Sequence, residues 1–154
     1  MKKVFYISLV GFILFSSFSI IQSEGLIDKT KLTADCKAKM EPYKYDSQKF
    51  TKINFNENSQ LLEIEVPVFI GEKYRIVFNT NALTTNKINI NVYTKSKSSS
   101  KRETIFTTNG DNSNTGEFVF DVPRVRKLFI DYEVPADASA NKISGYILMM
   151  VGYK

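Results

Sequence analysis

The stretch LLEIEVPVFI, residues 61–70, decides the fold class because apolar and polar side chains alternate along it. Its alternating apolar positions are Leu62, Ile64, Val66, Val68 and Ile70. Side chains on a β-strand point to the two faces of a sheet in turn, so one face is expected to be buried and the other wet. Proline cannot donate a backbone hydrogen bond to a sheet, and Pro67 therefore predicts an edge strand or a bulge.

The same alternation recurs along most of the chain, with turn residues such as Gly71-Glu72 between the segments. The predicted strands are KFTKINF (49–55), LLEIEVPVFI (61–70), KYRIVFN (73–79), KININVYT (87–94), ETIFTT (103–108), EFVFDVP (117–123), KLFIDYEV (127–134) and SGYILMMVGYK (144–154). The last of these is apolar at consecutive positions, which predicts burial on both faces. About eight short strands separated by turns predict an all-β fold, either a sandwich or a small barrel.

The apolar faces of these segments predict the core. Its expected members are Ile64, Val66, Ile76, Phe78, Ile90, Val92, Phe120, Ile130 and Leu148. The sandwich domain is expected to cover residues 48–154. Residues 24–47 hold few apolar residues and predict an extended lead-in with at most a helical turn around Lys31–Lys39, and no amphipathic helix of useful length is predicted anywhere.

Residues 1–23 have the layout of a secretory signal peptide. Lys2 and Lys3 precede an apolar run from Val4 to Ile21, and the first acidic residue is Glu24. An uncleaved membrane anchor is the alternative, because the run is just long enough to cross a bilayer. Cleavage predicts an exported protein with no remaining membrane span, located in the periplasm, at the outer membrane or outside the cell.

The charge balance excludes a nucleic-acid partner. The chain has 21 basic and 16 acidic residues, and removing residues 1–23, which hold two lysines and no acid, leaves a net charge of +3. Nucleic-acid binding needs a dense basic stripe, which this balance does not provide. About 130 remaining residues suffice for one domain with a proper core.

The residue inventory excludes most catalytic sites. The chain has no histidine and one cysteine, so serine and cysteine triads, histidine zinc sites and internal redox pairs are ruled out. Two carboxylate pairs stay available, Glu63 with Glu65 and Asp131 with Glu133, each at i, i+2 on a wet strand face. Solvated charges are ordinary there. We therefore predict no catalytic residue and no enzyme, with a carboxylate-only hydrolase as the alternative.

The single cysteine, Cys36, lies in the lead-in within ADCKAKMEPYKYD (34–46). One cysteine cannot form an internal disulfide. The thiol is either buried, as free cysteines usually are, or pairs between chains.

The loop NGDNSNTG (109–116) half-matches a calcium-binding loop. Asp111, Ser113 and Thr115 place oxygen atoms at alternate positions before Gly116. The twelfth position of the pattern is Val122, where the motif needs a bidentate glutamate. Calcium is thus the one cofactor that the sequence suggests, and an ordinary hairpin loop explains the same residues.

Two further features concern binding. The loop TKSKSSSKRE (94–103) carries four cations, Lys95, Lys97, Lys101 and Arg102. Such a loop can contact anionic lipid or polysaccharide, but no aromatic residue is interleaved here, and a flexible, solvated loop is favoured. Tyrosines are numerous, among them Tyr43, Tyr45, Tyr93, Tyr146 and Tyr153. In a sandwich without tryptophan, most of them are expected to pack in the core and at its rim. The register of the fourth strand puts Tyr93 on its wet face, and Tyr93 is the predicted ligand-binding residue, as part of a sugar or peptide platform.

Two resemblances bear on these predictions. The segments GEKYRIVF and INVYTK, with KLFIDYEVP and SGYILMMVGYK, resemble the bacterial pre-peptidase C-terminal domain, a jelly-roll-like sandwich appended to secreted enzymes. The single cysteine before PYKYD, the central YRIVF and the terminal VGYK are similar to a group of small exported Bacteroidetes proteins of unsettled function. Both resemblances imply export and a β-sandwich, and the first implies that the sandwich is jelly-roll-like. The expected fold is therefore a single antiparallel, jelly-roll-like β-sandwich, and neither resemblance implies a catalytic residue.

The predicted function is an exported, non-enzymatic binding or accessory module of the bacterial envelope, with a protein or polysaccharide as partner. A structural subunit of an envelope or secreted assembly, joined through its strand edges, is an alternative. The sequence specifies neither the ligand nor the oligomeric state.

Overall fold

The computed structural model describes residues 28–83, 88–109, 116–137 and 144–154. Over these ranges it contains one helix, α1 (Lys29–Met40), and eight strands. The strands are β1 (Lys44–Asn54), β2 (Gln60–Pro67), β3 (Tyr74–Asn79), β4 (Asn89–Tyr93), β5 (Thr104–Thr107), β6 (Glu117–Asp121), β7 (Lys127–Val134) and β8 (Ser144–Tyr153). The predicted all-β class is confirmed.

The strands form two antiparallel sheets of four strands each. The first sheet has the order β1-β8-β3-β6, and the second has the order β2-β7-β4-β5. This order is that of an eight-stranded jelly roll, so the predicted architecture is also confirmed. β2 is an edge strand, and Pro67 is its last residue, paired with Lys127.

The core lies between the inner faces of the two sheets. All nine predicted core residues are buried. Eight of them pack in the main core between the sheets, but Leu148 lies on the opposite face of β8. Ile70, which the alternation placed on the buried face of residues 61–70, is instead 50% exposed, because β2 ends at Pro67.

The predicted extended lead-in is wrong, because a helix of 12 residues occupies Lys29–Met40. The Asp28 side chain caps the helix by accepting a hydrogen bond from the Lys31 backbone N–H at 3.0 Å. Leu32, Cys36 and Met40 form its buried stripe at i, i+4 and i+8. The following strand, β1, begins at Lys44, inside the predicted lead-in.

Helix α1 covers the outer face of the first sheet. Its buried stripe packs against three residues of β3 and β8, namely Val77, Leu148 and Met150. A Cβ atom added at Gly152 would lie 2.5 Å from the Met40 sulfur and 2.8 Å from the Lys44 carbonyl oxygen. The helix therefore approaches β8 more closely than a side chain at Gly152 permits. β8 is thus buried on both faces, as its sequence predicted.

The Cys36 thiol lies in this second cluster and is 1% exposed. Burial raises the pKa of the thiol from 9.0 to about 12, and the charges of Glu117 and Asp35 add to the effect. This is the buried thiol that the sequence offered as one alternative. Among the described residues, no helix has the length and apolar character that a membrane span requires.

Candidate binding site

Two large apolar side chains project into solvent at one end of the sandwich, in the loop between β2 and β3. Phe69 is 74% exposed and Ile70 is 50% exposed. Among the described residues, the other exposed large apolar side chains are single and lie on β1, β2 and β6, at Tyr45, Leu61 and Val119. Scattered apolar residues are normal on protein surfaces, whereas an adjacent pair beside a groove is typical of a binding site. We call Phe69 and Ile70 the apolar tip.

The backbone holds the apolar tip on both sides. Before it, the Val68 N–H donates to the Arg126 carbonyl at 3.1 Å. After it, Gly71 turns the chain with φ +116°, a conformation that favours glycine. Lys73 and Lys154 then exchange two backbone hydrogen bonds, at 3.0 and 2.9 Å. The tip is therefore a short turn between fixed points.

A groove of about 520 Å³ lies beside the apolar tip. It runs between residues 68–74 and residues 121–125, and Tyr43 contributes to its wall. The Tyr43 ring has cations near it, the Arg75 guanidinium at 4.6 Å and the Lys154 ammonium at 4.4 Å from its centroid. Cation–π contacts of this kind hold an aromatic side chain in place.

Arg75 connects this end of the sandwich to helix α1. Its Nε and Nη2 atoms donate to the two Asp121 carboxylate oxygens at 2.7 and 3.0 Å. Its Nη1 atom donates to the carbonyl oxygens of Lys39 and Glu41 at the end of the helix. The hydrogen bonds from Arg75 lower the pKa of Asp121. Asp121 is thus an ion-paired wall residue of the groove, neutralised by its partner.

The predicted calcium ligands Asp111, Ser113 and Thr115 lie outside the described residues. Within residues 28–83, 88–109, 116–137 and 144–154, no group of three acidic, histidine or cysteine side chains is placed to hold a metal ion. The calcium loop therefore stays a prediction.

Tyr93, the predicted platform residue, lies on the outer face of the second sheet beneath Arg102. The Arg102 guanidinium is 3.7 Å from the centroid of the Tyr93 ring. The guanidinium covers this face of the ring, and the ligand-binding role of Tyr93 stays a prediction. The predicted basic loop is thereby anchored at Arg102, while Lys95, Lys97 and Lys101 remain exposed.

Each carboxylate of the two predicted pairs is already bound to a partner. Arg102 donates to Glu63 at 3.1 Å and to Asp131 at 2.6 Å. The Lys127 ammonium lies 2.6 Å from Glu65. Glu133 accepts hydrogen bonds from two asparagine side chains, Asn89 at 3.4 Å and Asn91 at 2.8 Å. None of the four is arranged as a free acid or nucleophile.

The tyrosines do not gather at one place. Tyr74 and Tyr153 have ring centroids 6.4 Å apart near the groove. Tyr146 lies beside α1, with the Lys29 ammonium 4.7 Å from its centroid, and Tyr45 is exposed on β1.

Sequence reasoning missed the apolar tip, because Ile70 continued the alternation of the strand before it. A signal was present: Pro67 and Gly71 bracket three apolar residues within five positions. Proline at a strand end and glycine in a turn would have moved Phe69 and Ile70 from the strand into the loop.

No protein-family model matches this sequence, and no curated protein matches it. Among solved structures, the chain is similar to PliG of Aeromonas hydrophila, described as a periplasmic lysozyme inhibitor of g-type lysozyme. The two are 12% identical with a TM-score of 0.47, and the match covers 71% of this chain and 87% of PliG. A similarity of this size does not assign a function.

Proposed function

We propose that this protein is an exported, non-enzymatic binding module that recognises a partner protein with its apolar tip. The observation that carries the proposal is the exposure of two adjacent large apolar side chains, 74% for Phe69 and 50% for Ile70, on an anchored turn. Binding energy at protein interfaces is concentrated in a few such anchors, and aromatic residues are prominent among them.

The anchoring of the turn supports recognition by a preformed site. A loop that is already ordered loses less conformational entropy on binding than a free loop does. The groove beside the tip adds a concave surface of about 520 Å³, so a partner can both accept the tip and fill the groove.

Two alternatives have less support. A carboxylate-only hydrolase would need an acid or a nucleophile free to react, and Glu63, Glu65 and Asp131 are each held by a cation. A structural subunit joined through a strand edge would favour β1, which has 11 residues and, among the described strands, pairs only with β8. β1 carries three exposed lysines, at positions 44, 49 and 52, and lysine on an edge strand opposes edge-to-edge pairing.

Site-specific photocrosslinking in the native cell tests the binding site. The full chain is produced there with Phe69→p-benzoylphenylalanine, cells are irradiated, and adducts are identified by gel and mass spectrometry. We expect one dominant protein adduct, and we expect Ile70→Asp in the same chain to reduce its yield strongly. The matched control is Leu61→p-benzoylphenylalanine, because Leu61 is exposed on β2 away from the tip.

Equal adducts from positions 69 and 61, or none from position 69, would contradict recognition through the tip. Export is tested separately by the intact mass of the protein from the same cells. A chain beginning near Glu24 supports signal-peptide cleavage, and a chain beginning at Met1 favours the membrane anchor.

A further inference from the structure

We infer that the partner of the apolar tip is a protein with an acidic rim around an apolar pocket; this inference rests on the proposed function. Three exposed cations flank the tip, Lys73, Arg124 and Arg126, and we call them the cationic collar. Arg126 is held beside the tip because its carbonyl accepts the Val68 N–H. Lys73 and Arg124 both line the groove.

The collar residues differ from three other cations near this end, which have interaction partners. Arg75 binds Asp121, Lys127 binds Glu65, and the Lys154 ammonium lies over Tyr43. Within the described part of the chain, none of the three collar residues makes an ion pair. Their charges are therefore available to a partner.

Acidic residues near the tip do not balance the collar. Asp121 is neutralised by the two hydrogen bonds from Arg75. Glu72 is the remaining carboxylate among the described residues that line the groove. Three cations against one carboxylate leave a positive rim around an apolar centre. The complementary surface has an apolar pocket with carboxylates at its edge.

The shape of the site favours a protein over an anionic membrane. A bilayer surface accepts an inserted tip, but it does not fill a concave groove of about 520 Å³ next to that tip. The membrane-facing area would consist of two apolar side chains, and a single small apolar anchor gives only marginal membrane binding. A folded partner contacts tip, collar and groove together.

The experiment uses an extract of the native envelope, separated on an anion-exchange column into a retained acidic pool and an unretained pool. Each pool is irradiated with the full chain carrying Phe69→p-benzoylphenylalanine, at 0.05 and 0.5 M NaCl. We expect the protein adduct from the acidic pool, with a yield that falls at least about tenfold at high salt.

The collar is tested with a triple variant of the same chain, Lys73→Gln, Arg124→Gln and Arg126→Gln. We expect its low-salt adduct yield to fall about tenfold. The matched control is Lys49→Gln, Lys52→Gln and Lys101→Gln, which makes the same change in net charge at exposed residues. We expect the control to keep the parental yield, and both variants to keep the parental melting temperature.

The outcomes separate this inference from the proposed function. An adduct that comes from the unretained pool, or that ignores salt and the collar variant, overturns the acidic partner and leaves recognition through the tip standing. No protein adduct from either pool overturns both. Sedimentation of the chain with vesicles of phosphatidylglycerol and phosphatidylcholine at 3:1, lost in Ile70→Asp, overturns the protein partner in favour of an anionic membrane.

Discussion

Arg102 and Asp131 form the most buried ion pair among the described residues. The Arg102 Nη1 atom lies 2.6 Å from Asp131 Oδ2, and the side chain of Asp131 is 2% exposed. Arg102 precedes β5 at the edge of the second sheet, and Asp131 lies inside β7. The pair therefore fastens the basic loop across the outer face of that sheet, with Tyr93 beneath the guanidinium.

Replacing Arg102 by Met should lower the free energy of unfolding by about 3 kcal/mol. The substitution leaves the Asp131 carboxylate buried without its cation, which is the costly way to break an ion pair. Denaturant titration followed by circular dichroism measures the change. Adding Asp131→Asn to Arg102→Met should recover part of the loss, because the uncompensated charge is removed. Lys101→Met is the control, and equal losses for the two single variants would show that the pair contributes little.

Stability should fall above pH 9 because of Cys36. The pKa of the thiol is raised from 9.0 to about 12 by burial, so the unfolded chain releases this proton at lower pH than the folded chain does. Between pH 9 and about 12 the unfolded state is therefore favoured progressively, and below pH 9 the thiol has no effect. From pH 8 to pH 10 the thiol should lower the free energy of unfolding by on the order of 1 kcal/mol.

Comparison with Cys36→Ala isolates this contribution from other groups that titrate in the same range. The parental chain should lose on the order of 1 kcal/mol more than Cys36→Ala between these two pH values. Parallel pH profiles would mean that the thiol ionises normally and is not buried. Thiol labelling of the folded chain at neutral pH gives an independent reading, since it should be slow until denaturant is added.

Replacing Tyr132 by Phe should leave stability unchanged or raise it by about 1 kcal/mol. The Tyr132 hydroxyl is buried in the main core. The Thr51 hydroxyl lies near enough to lower the pKa of Tyr132, but the two groups do not reach hydrogen-bond geometry. Burying an unsatisfied hydroxyl is unfavourable, so its removal carries little cost. Thermal unfolding of Tyr132→Phe and Tyr132→Ala separates the hydroxyl from the ring. If Tyr132→Phe lowered the free energy of unfolding by about 2 kcal/mol or more, the hydroxyl would be making a hydrogen bond in the folded protein.

Truncating the main core should be costly at Ile130 and Phe120. Ile130→Ala and Phe120→Ala should each lower the free energy of unfolding by about 2–5 kcal/mol, because each leaves a cavity between the sheets. Val119→Ala is the matched control, since Val119 is on the same strand as Phe120 but is 42% exposed and points to the other face. A loss at Val119 as large as the loss at Phe120 would mean that the register of β6 is shifted by one residue.

The strands and most of the core could be predicted from the sequence because alternation along a strand is a local pattern. Ile64 and Val66 on one face, with Glu63 and Glu65 on the other, identify the buried side of β2 without any knowledge of its partner strand. Turn residues between such segments then indicate a sandwich or a small barrel, and the strand order in the two sheets is what decides for the jelly roll.

Helix α1 could have been predicted from the sequence, since Asp28 is a preferred capping residue and Leu32, Cys36 and Met40 share one face. Its stripe is narrow, with three buried residues, and one of them is the cysteine whose burial the sequence left open. The stripe is stabilised in the folded protein because it packs against the outer face of β3 and β8, at Val77, Leu148 and Met150. That face exists only once the sheet has formed.

Only the tertiary structure determined which residues form the candidate binding site. The sequence determined that Phe69 and Ile70 are apolar and precede a glycine turn, but their exposure follows from where β2 stops pairing with β7. Likewise Arg102 was one cation among four in a loop until folding brought it to Asp131, 29 residues away. Alternation and turn chemistry act between neighbours in the chain, whereas exposure and ion pairing depend on which distant segments meet, and only the packed sheets bring those segments together.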